Sequence, residues 1–416
     1  MRHLSNVPST LLSVLLAGGA VACGAEPGDP DPTPRDGSVA TTDGGTGGSA
    51  LPVRCPPGST DPVCMRASED NPIGEGPRPR AQVGLVPMLT AGVVDRAASR
   101  LLIGGSWGGG TELAGAVLAV DLATGDRTAI SGTVSDPRTG ETTIGAGPPL
   151  GQVSDVGLRS DGDLVALSVV SSSRLELVRI DADTGDRTLL WYNLLIPSGH
   201  ETNVPCTDGA GREIPNFDGD SLAIGDDDEI YIVARPLSPG ASAVVAIAGD
   251  ASSCAITTLA GESQPEGALR GTGPAITPSL RGLRFAGGLL YGVDVSVSSL
   301  VSIDVDTGNR LVISRDASSG RVGEGGALGY SRLDVDAAGG RVLTIDDESG
   351  GFAVITAVDL ESGDRTVVDL VSNTVQAPAE GGVWFHPSRP LYVSVTWGTA
   401  IALVDPAIGE ANLISN

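Results

Sequence analysis

Short apolar runs alternate with glycine-rich polar turns along most of this chain, and the runs are too short for helices. One stretch shows the pattern whole: GTGPAITPSLRGLRFAGGLLYGVDVSVSSLVSIDVDTGNRLVIS, from Gly271. Leu283 to Phe285 forms a first run, Ala286 to Gly288 a turn, and Leu289 to Val293 a second run. Leu300 to Val305 alternates, and a TGNR turn leads into Leu311 to Ser314. Short runs with period-two alternation, bounded by turn residues, predict strands joined by hairpins. The stretch reads as four antiparallel strands.

The same order recurs. DLATGDRTAIS begins at Asp121, DADTGDRTLL at Asp181, DVDTGNRLVIS at Asp304, DLESGDRTVVD at Asp359 and the weaker DPAIGEANLIS at Asp405. A further unit without this signature runs from SLAIGDDDEIYIVA to AVVAIAGDASSCAITTL. Repeats at roughly 50–65 residues match propeller blades rather than helical repeats. A four-stranded meander has two apolar faces that it cannot cover alone, and a ring of meanders covers both. The fold class is therefore all-β, a six-bladed β-propeller over residues 74–416, with seven blades if residues 52–90 hold a degenerate unit. G-x-G linkers stand at Gly74 to Gly76, Gly145 to Gly147 and Gly323 to Gly325. The run from Gln82 to Leu89 is either an edge strand latching the last blade or a lead-in to the first.

The repeated letters are those of a repeated bend. Gly125, Gly185, Gly308 and Gly363 supply the positive φ that a tight bulged hairpin needs. Asp and Thr side chains bond turn amides, and the Arg is expected to lie back along the sheet against the neighbouring Asp. This hairpin signature resembles that of extracytoplasmic six-bladed propellers of the TolB-like and NHL-like groups. The resemblance speaks to architecture and leaves activity open, because one fold hosts many functions.

The N-terminus gives an address. Arg2 is a positive n-region, Leu11 to Val21 a short apolar core, and Ala20-Val21-Ala22 precedes Cys23. This resembles a bacterial lipobox, with Ala where Leu is usual, and implies a signal peptide over 1–22 and lipid on Cys23. Gly24 in place of Asp implies, by the same resemblance, the outer membrane of the cell envelope, with the folded part facing the periplasm or the surface. Residues 23–52, rich in Gly, Pro, Asp, Ser and Thr, form a disordered tether. Residues 53–73 are a lead-in closed by a Cys55–Cys64 disulfide, and a second disulfide, Cys206–Cys254, is expected in the unit lacking the signature. With no C-x-x-C and only three His, a thiol metal site is disfavoured.

Composition narrows the function. The 416 residues carry a net charge of −25, all 26 basic residues are Arg, and no basic stripe is present, which argues against nucleic-acid binding and for a soluble monomer. Only 3% of residues are aromatic, so Val, Leu, Ile and Ala must build the core. No G-x-S-x-G, H-E-x-x-H or phosphate-binding loop occurs. His3 leaves with the signal peptide, and His200 and His386 lie in different units. Asp226 to Glu229 reads as a solvated turn, with Ca2+ capture as the sharper alternative.

The candidate ligand site is the channel mouth, where the innermost strands begin. Aligning the units places Asp155, Asp220, Arg281 and Glu380 there, with Tyr330 beside them and Arg332 opening its strand. Two functions follow. One is a non-catalytic, lipid-anchored propeller that binds a protein, a glycan or a small polar ligand. The other is a metal-dependent hydrolase, similar to gluconolactonase-like propellers, with Asp155, Asp220 and Glu380 holding Ca2+ or another divalent ion.

Overall fold

The computed structural model describes residues 78–79, 88–106, 114–136, 140–171, 174–194, 207–208, 217–218, 221–236, 243–248, 255–263, 268–277, 279–316, 320–326, 328, 332–346, 354–368, 382–390, 392–395, 401–407 and 410–415. The described strands form six sheets, each built on a four-stranded antiparallel meander of consecutive chain, with Thr207–Asp208 joining the third sheet in parallel. Blade 1 comprises Met88–Asp95, Arg100–Ser106, Gly115–Asp121 and Arg127–Asp136. Blade 2 comprises Gln152–Leu158, Leu164–Ser171, Arg174–Ile180 and Arg187–Leu194. Blade 3 is built on Leu222–Ile224, Ile230–Pro236, Ala243–Ala248 and Ala255–Ser263. Blade 4 holds Leu280–Ala286, Leu289–Asp294, Ser299–Asp304 and Arg310–Arg315. Blade 5 holds Leu333–Asp336, Arg341–Asp346, Val354–Asp359 and Arg365–Val368. Blade 6 ends the ring with Val383–Phe385, Tyr392–Val395, Ile401–Asp405 and Glu410–Ser415.

The first strand of every blade contacts the first strand of the next, from blade 1 round to blade 6 and back to blade 1. Six apolar clusters fill the six seams. The closing seam joins Trp384, Val393, Ile401, Leu403 and Ile414 of blade 6 to Leu101, Ile103, Leu118 and Val134 of blade 1. Each such side chain contributes about 1.5–3 kcal/mol on burial, which is why no blade is stable alone. The chain is a six-bladed β-propeller. No strand is exchanged between its ends among the described residues. Met88 and Leu89 pair with Ser106 and Gly105 in the first strand of blade 1, so this part of the Gln82–Leu89 run is a lead-in.

The D-x-x-T-G-D-R hairpin joins the third strand to the fourth in blades 1, 2, 4 and 5. Its glycines take φ of 77°, 76°, 73° and 74° at Gly125, Gly185, Gly308 and Gly363. The leading Asp accepts two turn amides: Asp181 takes those of Asp183 and Thr184 at 3.0 and 2.8 Å, and Asp121, Asp304 and Asp359 do the same. These bonds favour the charged carboxylate and hold Asp181 and Asp359 below the usual range; for Asp304 the Thr307 hydroxyl is the larger cause.

The Arg departs from expectation. Beside the electrostatic pull of the neighbouring Asp186 or Asp364, the guanidinium hydrogen bonds of Arg187 and Arg365 cross the seam to the preceding blade. Arg187 donates to Ser131 Oγ at 2.8 Å and to the Ile144 and Pro148 carbonyls at 2.6 Å. Arg365 donates to Ser314 Oγ at 2.6 Å and the Val322 carbonyl at 2.9 Å. Arg127 closes the ring by donating to Ser415 Oγ at 2.7 Å. The reason is satisfaction of buried groups. Ser131 and Ser314 are fully buried, and each donates its hydroxyl to the hairpin carbonyl of the next blade, Gly185 or Gly363, leaving lone pairs for the guanidinium. The G-x-G linker wraps the same hairpin. Gly147 has φ of 105°, and a Cβ there would meet the Arg187 carbonyl at 2.1 Å.

Candidate functional site at the ring axis

The first strands all start at one end of the axis and reach their hairpins at the other. Register aligns them. Val156 pairs with Ala166, Leu222 with Ile232 and Leu333 with Thr344, which puts the preceding residues Asp155, Ser221 and Arg332 at one level. Ala91, Gly282 and Gly382 occupy that level in blades 1, 4 and 6.

Asp155 is fully buried and its carboxylate is fully engaged. Oδ1 accepts the Val156 amide at 2.9 Å. Oδ2 accepts the Leu222 amide of blade 3 at 3.0 Å and Arg284 Nη1 of blade 4 at 3.1 Å. Arg284 Nη2 reaches the opposite side of the ring and donates to the Gly92 carbonyl of blade 1 at 2.8 Å. The same carbonyl accepts the Trp384 indole N–H of blade 6 at 3.0 Å. Arg332 of blade 5 donates to the Ser154 carbonyl at 3.0 Å and holds Nη1 3.8 Å from Asp155. One connected set of polar groups thus draws on all six blades.

Nearer the hairpin end, Asp334 repeats the device. It accepts the Phe385 amide of blade 6 at 3.0 Å and faces Arg96 of blade 1 at 3.5 Å. Burial raises its pKa above the usual carboxylate range, and the Arg96 and Arg284 charges oppose that shift. The axis therefore carries Arg332, Asp155, Arg284, Asp334 and Arg96 in alternating sign from strand starts to hairpins. Alternation lowers the cost of placing charge in a dry interior, because each carboxylate meets a guanidinium.

Of the sequence-predicted residues, Asp155 and Arg332 lie together on the axis, and Arg281 is exposed at the start of the first strand of blade 4. Gly282, beside Arg281, packs against the Arg332 backbone, so a Cβ there would stand 3.3 Å from Arg332 Cα. Asp220, Tyr330 and Glu380 lie outside the described residues, as do Cys23, Cys55, Cys64, Cys206, Cys254 and His200. Sequence reasoning missed Arg284 and Asp334. An Arg and an Asp in the middle of otherwise apolar first strands were the available signal.

Asp228, read as part of a solvated turn, instead ties two blades. At φ 62° it accepts the Ser160 amide and hydroxyl at 2.7 and 2.8 Å and pairs with Arg159 at 3.2 Å. His386 is buried, its Nδ1 accepts the Ser388 amide at 3.3 Å, and burial lowers its pKa to about 4. Among the described residues, no three His, Cys, Asp or Glu side chains converge to hold a metal ion, and no helix is long and apolar enough to cross a membrane.

No protein-family profile matches the chain, and no curated protein matches it. Among solved structures, it is similar to a nidogen/laminin complex at 13% identity, covering 71% of this chain and 88% of that one, with a TM-score of 0.42. It is similar to TolB from Acinetobacter baumannii at 10% identity, covering 78% and 62%, with a TM-score of 0.44; the chain spans less than two thirds of that protein's length. A protein of unknown function from Bacteroides thetaiotaomicron gives 13% identity, 79% and 72% coverage and a TM-score of 0.45.

Proposed function

We propose that this propeller is a non-catalytic binding module of the cell envelope, lipid-anchored through Cys23 to the outer membrane, monomeric, and holding a protein, a glycan or a small polar ligand. The observation that carries the reading is the state of Asp155. The hydrolase alternative needs it as a metal ligand, yet both its oxygens already accept hydrogen bonds, and Arg284 and Arg332 stand 3.1 and 3.8 Å from it. Two guanidiniums beside the donor oppose a divalent cation electrostatically, and hard cations require several free carboxylate or carbonyl oxygens. Asp155, the one member of that candidate set among the described residues, does not fit a metal ligand. The axial polar groups hold blades together, which leaves the outer surfaces and the axial mouth for recognition.

The test uses the mature protein. Immobilised protein should retain a defined envelope protein or glycan that an Arg281→Glu variant at the exposed strand-start end, or variants of one outer face, release. Ca2+ or Zn2+ at millimolar levels should leave the melting temperature unchanged. A metal-dependent rise in melting temperature that Asp155→Asn abolishes would restore the hydrolase reading.

A further inference from the structure

The geometry points to a ring made of two three-blade halves, blades 6, 1 and 2 in one and blades 3, 4 and 5 in the other. The halves part along one diameter, through the seam between blades 2 and 3 and the seam between blades 5 and 6. The axial charges are the clasp that holds this joint shut.

Three observations support it. The turn Arg locks four seams. Arg127 reaches Ser415 of blade 6, Arg187 reaches Ser131 of blade 1 and Arg365 reaches Ser314 of blade 4, while Arg310 of blade 4 donates to the Pro274 carbonyl in the linker from blade 3 at 2.5 Å. The fourth strands of blades 3 and 6, Ala255–Ser263 and Glu410–Ser415, contain no Arg, so the 2/3 and 5/6 seams lack this lock. In a ring of six, these two seams lie opposite each other. Finally, four ion pairs join blades among the described residues, and all four cross the same plane. Arg284 of blade 4 and Arg332 of blade 5 face Asp155 of blade 2, Arg96 of blade 1 faces Asp334 of blade 5, and Arg159 of blade 2 faces Asp228 of blade 3.

The two kinds of seam differ in what opening costs. Inside a half, a buried Arg holds oxygens of the neighbouring blade or its linker beside an apolar cluster, and the 3/4 seam adds Tyr231 stacked on Phe285 with ring centres 6.0 Å apart. At the joint the apolar clusters remain, but the polar contacts are charge pairs. Separated charges regain their hydration, so a buried ion pair contributes little net stability. In a repeat fold each seam contributes its own interface energy, and the weakest seams open as a unit below global unfolding. A closed ring resists parting at a single seam. Two opposite seams let each half move as a rigid body that keeps both of its own locked seams.

The experiment is amide hydrogen exchange of the full mature chain in rising denaturant. Leu222 and Phe385 donate their amides across the joint, to Asp155 and Asp334 at 3.0 Å each. Arg187 and Arg365 donate theirs inside the halves, to the Ala146 and Glu324 carbonyls at 2.8 and 2.7 Å. Leu222 and Phe385 should lose protection together, at lower denaturant than Arg187 and Arg365. Asp228→Gly then removes the Ser160 and Arg159 contacts, which lie in the 2/3 seam alone, and glycine accepts the φ of 62° at that position. It should speed exchange at Leu222 and Phe385 by one common factor, about tenfold as expected for one lost hydrogen bond to a charged group, and leave Arg187 and Arg365 unchanged. Acceleration at Leu222 alone would mean that the two seams open independently. Earlier loss at Arg187 or Arg365, or loss at all four sites only on global unfolding, would mean that no such joint exists. Any of these results overturns the inference.

Discussion

Arg284 and Arg187 are both buried and both bridge blades, yet they stand in different electrostatic settings. Arg284 faces an anion, Asp155, in the middle of the ring. Arg187 at the rim meets a serine hydroxyl and carbonyl oxygens. Burial lowers the pKa of Arg187, but it keeps its proton because carbonyl dipoles surround it. The rim device is modular: one Arg, one Ser and one linker make a seam, and the chain repeats them. The axial device is singular, because one point on the axis is shared by six blades. A periodic solution shows in sequence as a repeat, and a singular one shows as an exception.

The largest expected effect follows from breaking the axial pair on one side. Arg284→Met leaves Asp155 buried with only Arg332, 3.8 Å away, as counter-charge, which should cost about 3 kcal/mol in a denaturant titration. Asp155→Asn in the same protein should recover most of that loss. If the two changes add, the pair is not coupled and the axial column is only a coincidence of packing.

Acid should loosen the blade 6 hairpin next. His386 has a folded pKa of about 4 against an ordinary value near 6.5. The folded state therefore binds fewer protons than the unfolded chain between these values. The stability is complete above about pH 6.5 and falls as pH drops toward 4, by on the order of 2–3 kcal/mol. His386→Gln should flatten stability across that window, measured as the melting temperature at half-unit pH steps. An unchanged slope would mean that the ring is not buried neutral. Asp334 works in the other direction. Its raised pKa makes the folded state bind its proton more tightly, so its contribution is largest below the ordinary carboxylate pKa and fades as pH rises through the folded value.

The rim predicts smaller and equal steps. Ser131→Ala, Ser314→Ala and Ser415→Ala each leave a buried guanidinium short of one acceptor, at about 1–2 kcal/mol apiece. The three seams are separate, so the triple variant should lose close to the sum. A far larger loss for Ser415→Ala alone would show that the closing seam is held by that bond more than by its apolar cluster.

Much of this was legible in the chain. The D-x-x-T-G turn, the glycine conformations and the four-strand order follow from local chemistry, and local chemistry is what a short stretch of sequence records. The destination of the turn Arg was not legible, because Ser131 lies 56 residues before Arg187 and Ser415 lies 288 residues after Arg127. A clue was present all the same. Blade 3 lacks the signature Arg, and the position matching Ser131 in the blade before it is Trp191. At the axis, alignment of strand starts found Asp155 and Arg332 but not Arg284 or Asp334, which sit deeper in the first strands. Asp155 was also expected to meet a ligand, since the sequence cannot show that Arg284, 129 residues away, reaches it first.

The smallest effect tests the comparison by removing burial from it. Arg179 pairs with Asp163 at 2.6 Å and Asp161 at 3.0 Å, shorter contacts than the 3.1 Å between Arg284 and Asp155. Its side chain is 41% exposed, whereas that of Asp155 is wholly covered. Water and salt screen the exposed cluster, and holding long side chains in place costs entropy. Arg179→Gln should therefore shift stability by no more than about 0.5 kcal/mol, and 0.5 M NaCl should erase even that. If distance governed the energetics, Arg179→Gln would cost more than Arg284→Met. The expected order is the reverse, because at the axis the removed partner leaves a charge with no water to turn to.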